Sequence, residues 1–450
     1  MSAVRTLVRF FAILLIVGVV SVGFVACNLR NVAKSPPQPV TAVSAANLLL
    51  LPIPANTPDA DLVRRGQYLV RVGDCLSCHL RAGGSPFAGG LGLNTPFGII
   101  YSANITSDKA NGIGDWTPDQ FYHAMHDGIG AHNEHLYPAF PYPWFTHVSR
   151  ADDDAILAYL KTTAPVSETP PHNELPFPFS VREVMAGWNL LFLKSSSVEA
   201  DSGQSKDWNR GAEIVNGLGH CSACHTPKNI FGADQSSQRF YGGVLEDFVA
   251  PDLTSNDKTG LGSWTIEDVT EYLKTGRNQR ANAGGLMADV ITYSTSLMTD
   301  DDRRGIAVYL KAQSASAVVA VSPPDAAAVK RGAEIYSDVC SACHLKDGVG
   351  QPQFFPPLRH NAVVQQENPL SLLHIVLAGS RTGPSPARPS PLTMPSFAWK
   401  LSDQEVADVA TYLRNSWGNQ ASGVSVDSVR AARKELGLTT EHLTENSGDR

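Results

Sequence analysis

Two kinds of hydrophobic pattern divide this chain. Residues 10–26 are apolar except for Ser21 and two glycines, with Arg5 and Arg9 ahead of the run and no acidic residue before Asp59. Beyond residue 59 the apolar positions recur at the spacing of amphipathic helices. The segments R-R-G-Q-Y-L-V at 64–70, N-R-G-A-E-I-V at 209–215 and K-R-G-A-E-I-Y at 330–336 predict three short leading helices. Residues 152–161, 299–311 and 402–414 predict three closing helices, each running out through Tyr-Leu, with acidic residues early and Lys or Arg at the end, as the helix dipole favours. Trp116-Thr and Trp264-Thr open a middle helix in the first two cases, downstream of N-I-T-S-D at Asn104 and D-L-T-S-N-D at Asp252. One order of elements is therefore used three times, the mark of an internal repeat.

The repeat sets the domain boundaries: 59–162, 201–313 and 328–418 as three tandem, mainly α domains, preceded by a 1–30 signal or anchor segment and a 31–58 linker. Residues 163–200 read as a Pro-rich linker carrying an apolar helix, 314–327 as a Ser, Ala, Val and Pro linker, and 419–450 as a polar tail. The apolar run behind two arginines has the pattern of an export signal. Its seventeen residues lie at the short end of a bilayer span, and no small-x-small cleavage site ends it. Retention as an N-terminal anchor, with the arginines inside and the body on the periplasmic face of a bacterial inner membrane, is the expectation. The run F-V-A-Cys27 loosely resembles a lipoprotein box, with Phe24 where Leu is usual, and lipidation stays open.

A length of 450 residues accommodates about three domains. The net charge of −7 with no long basic run argues against a nucleic-acid partner. The cysteines change the picture most. Six of seven fall into Cys75-Leu-Ser-Cys78-His79, Cys221-Ser-Ala-Cys224-His225 and Cys340-Ser-Ala-Cys343-His344. C-x-x-C-H is the spacing of c-type haem attachment. Each thiol can add to one vinyl group, the two intervening residues set the reach between vinyls, and the adjacent imidazole is held beneath the iron. A zinc site would call for a second ligand pair close by, whereas these pairs stand 146 and 119 residues apart. A dithiol redox centre would accompany a βαβ pattern, and plain disulfides would not explain a His after every pair. An Arg-Gly pair precedes each motif, its glycine nine, ten and eight residues before the first Cys. The expected cofactors are three haem c groups, with His79, His225 and His344 as proximal ligands.

Met or His usually supplies a sixth ligand. Met394, between prolines in P-L-T-M-P-S-F, is the candidate of the third domain, 18 residues before Tyr412. Met287 is that of the second, 22 residues before Tyr309, with Met298 read as core filler. In the first domain Phe140 stands 19 residues before Tyr159, where a ligand would be expected, and Met125 lies on a core-like helix position. Five histidines crowd residues 123–147, and His135, just ahead of the loop, is the first choice. An open, five-coordinate iron is the other reading.

The helix, motif, loop and closing-helix plan resembles the class I cytochrome c fold. With L-Y-P-A-F-P-Y-P, A-G-G-L-M-A-D-V-I-T-Y-S-T and M-P-S-F-A-W in the three domains, the chain from about residue 59 to 418 resembles the triheme cytochrome c subunit of bacterial membrane-bound dehydrogenases. The resemblance implies an electron-transfer subunit without an active site of its own. A periplasmic catalytic subunit, with a molybdenum, flavin or quinone cofactor, would pass it electrons for membrane ubiquinone or another respiratory acceptor. Relatives on the alcohol side typically have Met at the place of Phe140, and the Phe variant looks more like cytochromes that accompany molybdenum hydroxylases acting on aldehydes or N-heterocycles. A free-standing multihaem cytochrome, or a peroxidase-like enzyme with an open first haem, is the alternative.

Residues 175–194 carry one further signal. Val181, Val184, Met185, Trp188, Leu191 and Phe192 recur at helical spacing. That stripe either packs back onto the neighbouring domains or offers Trp188, Leu191 and Phe192 to the catalytic subunit or the membrane interface.

Overall fold

The computed structural model describes residues 53–195 and 199–438, so the apolar run at 10–26 lies outside the described residues. The chain is mainly helical, and the first unit comprises α1 (Ala60–Val72), α2 (Cys75–Cys78), the hairpin β1 (Gly92–Thr95) and β2 (Gly98–Tyr101), α3 (Pro118–Asp127), α4 (Tyr142–Phe145) and α5 (Arg150–Leu160). After α6 (Val184–Phe192) the order returns as α7 (Lys206–Asn216), α8 (Ser222–His225), the hairpin β3 (Gly243–Leu245) and β4 (Phe248–Ala250), α9 (Ile266–Thr275), α10 (Leu286–Tyr293) and α11 (Asp300–Lys311). The third unit has α12 (Ala326–Val339), α13 (Ser341–His344), α14 (Ala362–Gln365), α15 (Leu370–Ala378), the short pair β5 (Ser380–Arg381) and β6 (Thr393–Met394), α16 (Asp403–Leu413) and α17 (Val426–Glu435).

Local chemistry sets the starts of these helices, the first closing helix beginning two residues ahead of the expected 152 and the leading helices three or four ahead of theirs. Ser149, Thr299 and Ser402 cap the three closing helices through their side-chain oxygens. Thr117 with Gln120, and Thr265 with Asp268, form reciprocal capping boxes at the middle helices. The leading helix then packs across the closing helix in every unit, α1 on α5, α7 on α11 and α12 on α16.

The glycine of each Arg-Gly pair lies at that crossing. A Cβ on Gly66 would fall 1.8 Å from the carbonyl O of Ala155, on Gly211 2.0 Å from that of Gly305, and on Gly332 2.1 Å from that of Asp408. No side chain fits there, so the backbones meet directly. The arginine one step earlier forks onto a largely buried carboxylate of the closing helix. Arg65 Nε donates to Asp152 at 2.7 Å. Arg210 makes two bonds to Asp302 of 2.7 and 3.0 Å, and Arg331 two to Asp408 of 2.6 and 2.8 Å. Burial works against ionisation of Asp302, but the hydrogen bonds from Arg210 and Tyr68 prevail and hold its carboxyl below the usual range.

Units one and two share a single core, in which Leu69, Val72, Phe145 and Val148 pack with Ile214, Val215, Leu218 and Tyr293. Met125 and Met298 are buried in it, at 4% and 5% exposure, as filler. The third unit has its own core around Leu373, Leu377, Val406 and Val409. Two stretches read from sequence as linker and tail are more firmly built than that. Part of the Pro-rich stretch lies against the first unit, with Ile99 and Glu174 exchanging backbone hydrogen bonds and Asn104 holding the carbonyls of Val166 and Glu168. The polar tail supplies α17, which buries Val429 and Ala432 on the third core, while Arg433 ties the carbonyls of Ala398 and Leu401. Its apolar residues are too few to dominate the composition, yet they share one face.

The helix predicted at 181–193 is α6, and its stripe divides. Met185 is buried, Trp188 meets Tyr142 edge-on and donates to the carbonyl of Phe231, and Phe192 packs on Phe231. Trp188 and Phe192 thus pack back, half-buried, against the neighbouring residues, one of the two readings of the stripe, whereas Leu190 and Leu191 stay 86% and 71% exposed. No helix among the described residues is long and apolar enough to cross a membrane.

Replacing Gly332 by Ala should cost about 1–3 kcal/mol, the usual toll of overpacking. Denaturant unfolding of the purified protein would show it as a lower midpoint with unchanged slope, and an unchanged midpoint would mean that the crossing tolerates a side chain.

Candidate haem centres

Each C-x-x-C-H motif follows its leading helix after a turn and forms a single helical turn, α2, α8 or α13. The imidazole of each is fixed in the same way. Nδ1 of His79 faces the carbonyl O of Ala103 at 2.6 Å, that of His225 the carbonyl of Pro251 at 2.7 Å, and that of His344 the carbonyl of Pro356 at 3.1 Å. A carbonyl can only accept, so Nδ1 carries the proton and Nε2 keeps its lone pair for a metal. Burial lowers the pKa of all three rings, against the opposing pull of those hydrogen bonds, and keeps them neutral at neutral pH. Three neutral imidazoles with a fixed tautomer are what proximal iron ligation asks for.

The six motif cysteines are free thiols. Burial pushes Cys75, Cys78 and Cys221 up to about 12, and Cys224 and Cys340 up to about 11, so these sulfurs stay protonated. Two free thiols beside a ligand-ready imidazole in one turn fit a covalent haem.

The candidate sixth ligands sit on the loop after each middle helix. Gly128, Gly276 and Gly379 follow α3, α9 and α15 with φ of 64°, 72° and 82°. The residue after each of them pairs across the loop: Ile129 with His135, Arg277 with Asn282, and Ser380 with Met394. His135 and Met394 thus both face the residue after a left-handed glycine, whereas in the second unit Asn282 stands there and Met287 follows on α10. Phe140 packs against the shared core with its ring 5.5 Å from Phe145. Nδ1 of His135 is buried without a hydrogen-bond partner, while its carbonyl accepts from Arg182 at 2.9 Å. Met287 is the second residue of α10 and lies against the shared core, half-buried like Met394.

The three units are linked through α10. This helix touches α2, the first attachment turn, on one side. On the other the third unit comes so close that a Cβ on Gly383 would fall 2.2 Å from the carbonyl O of Ala288. Units one and two interlock reciprocally. Tyr68 donates to Asp302, Ser294 reaches the carbonyl of Val72 at 3.4 Å, and Trp144 Nε1 donates to Ser222, beside Cys221, at 2.6 Å. Asp74 and Asp289, on the two elements that meet there, are both pushed up to about 7 by burial. No pattern along the chain signals these contacts, since each joins residues more than seventy positions apart.

Motif turns of this kind, set on crossed helices with a neutral imidazole ready beside two thiols, define a c-type cytochrome. The family described as cytochrome c matches residues 329–417, and such a domain carries covalent haem c. Over most of its length the chain is similar to the gluconate 2-dehydrogenase cytochrome c subunit of Pantoea cypripedii, 38% identical over 83% of this chain and 90% of the relative. It is 37% identical to the cytochrome c subunit of the quinone alcohol dehydrogenase of Gluconobacter oxydans, over 84% of each. It is also 39% identical to a nicotinate dehydrogenase subunit of Pseudomonas putida, over 79% of this chain and 30% of that longer protein. The chain belongs to the cytochrome c subunits of membrane-bound dehydrogenases.

Proposed function

We propose that this protein is the electron-relay subunit of a periplasmic dehydrogenase complex, binding three covalent haems in three tandem class I cytochrome c domains and handing electrons to membrane ubiquinone. The observation that carries the reading is the threefold recurrence of one arrangement, a buried imidazole with Nδ1 on a backbone carbonyl, in units joined through α10. Haem, when bound, supplies the one-electron chemistry of its iron, and the protein supplies placement and potential.

Cys75 with Cys78, Cys221 with Cys224 and Cys340 with Cys343 hold one haem each by adding S–H across a vinyl group, so that a carbon–sulfur and a carbon–hydrogen bond form. His79, His225 and His344 ligate the iron from the proximal side. Met287 and Met394 complete the second and third sites. His135 is the distal ligand of the first, supported by its orphaned Nδ1 and by the pairing it shares with Met394, to the residue after a left-handed glycine. A His-ligated site is expected at lower potential than a Met-ligated one, which gives the relay a direction.

The partner is a catalytic dehydrogenase subunit. Phe140 in place of Met and the likeness to a nicotinate dehydrogenase favour the molybdenum type, acting on an aldehyde or N-heterocycle. The surface offered to it is the exposed apolar face of Leu190, Leu191, Ile230 and Phe231. Residues 10–26 anchor the body on the periplasmic face of the inner membrane.

Two experiments test the reading. Met394→Ala, Met287→Ala and His135→Ala should each change the spectrum and potential of a different haem, the methionine variants losing the weak sulfur-to-iron absorption near the red edge. Unchanged potentials in all three would refute the ligand assignment. Leu190→Ser with Leu191→Ser should release the catalytic subunit from the purified complex while haem content and thermal stability stay as they were, and retained association would move the docking face elsewhere.

A further inference from the structure

The junction between the second and third units holds two arginines whose charge no neighbour among the described residues balances. Arg277 is 5% exposed, and its Nε is buried with no hydrogen-bond partner. Its Nη2 donates only to a backbone carbonyl, that of Ser390, at 3.1 Å. Arg388, from the facing loop, likewise has a buried Nε without a partner and donates from Nη2 to the neutral Gln353. The carboxylate beside them, Glu271, accepts from Gln353 Nε2 at 3.2 Å. The side-chain hydrogen bonds of both arginines among the described residues thus go to uncharged acceptors. Burial, and then the proximity of Arg388, lowers the pKa of Arg277, so the two cations feel one another across the junction.

A buried guanidinium with an idle N–H has given up its hydration for no bond in return, and a like charge nearby adds to the cost. An arrangement of this kind persists when an anion completes it, and the fork of a guanidinium matches a carboxylate. Both arginines stand on loops next to candidate axial ligands, Arg277 on the loop that leads into α10, ten residues before Met287, and Arg388 six residues before Met394. A haem carries two propionate carboxylates, the anions that such a fork would take.

We propose that Arg277 and Arg388 bind haem propionates at this junction, Arg277 on the second haem and Arg388 on the third, and that they thereby raise both potentials and tie the third unit to the second. The inference rests on the three-haem reading and adds the residues that receive the acidic edges of two of the haems. A cation at a propionate favours the reduced, more negative state of the haem, so its removal favours the oxidised one.

The test uses full-length protein purified with its haems, with mass spectrometry on every variant. A wild-type chain with fewer than three haems would sink the underlying reading whatever the arginines do. With three in place, Arg277→Gln and Arg388→Gln should each lower the midpoint potential of one haem, a different one in each variant, by about tenfold in the oxidised-to-reduced ratio, or about 59 mV for one electron. Redox-difference infrared spectra should show a propionate carboxylate band shifted in the same variants. Arg277→Lys and Arg388→Lys, which keep the charge, should hold most of the potential. Should Arg277→Gln fail to fold, Arg388→Gln and Arg277→Lys still decide. Unchanged potentials and carboxylate bands in the Gln variants would overturn the proposal. So would a wild-type potential that responds to added chloride or phosphate, with the response lost in Arg277→Gln, since the anion would then come from solvent.

Discussion

The direct backbone contact at the helix crossing is the constraint on which the rest of this structure depends. With no Cβ at Gly66, Gly211 or Gly332, the leading helix settles onto a carbonyl of the closing helix. The arginine one residue earlier then reaches a carboxylate, and the motif turn begins within ten residues of the glycine. From there His79, His225 and His344 each meet a carbonyl of the following loop. The third unit shows that the contact is the fixed part and the charge the adjustable one. There the acidic partner, Asp408, sits one turn later than Asp152 and Asp302 do, and Glu405 takes over the capping role near the helix start. The glycine still meets the carbonyl at the same distance from the cap.

The units differ in how they are joined. The first two bury one continuous core, so neither folds as a body independent of the other. The third keeps its own core and meets the second through α15 against β4, through Ser371 on the backbone of Val249, and through the loop around Gly383 on α10. That helix stands between the first attachment turn and the third unit. It is where a change in one unit would be felt by both others.

Much of this was legible along the chain because it is local. C-x-x-C-H spacing, the Trp-Thr openings of the middle helices, and helical periodicity each report on a few neighbouring residues. What the sequence withheld is long-range. The purpose of the Arg-Gly pairs depends on residues 77 to 92 positions away. The inward turn of Trp188 and Phe192 depends on the loop at Phe231, and the packing of α17 on a few apolar residues in a polar stretch. The backbone pairings of His135 and Met394 with the residue after a left-handed glycine cross loops of unequal length and leave no pattern along the chain.

One local arrangement, used three times, should hold one haem each time. Intact-mass measurement of the mature protein, followed by peptide mapping, tests this most directly. The expected result is three covalent haems per chain, attached at Cys75 and Cys78, at Cys221 and Cys224, and at Cys340 and Cys343. A chain with two haems or fewer when fully matured, or with a motif whose thiols stay free, would contradict it.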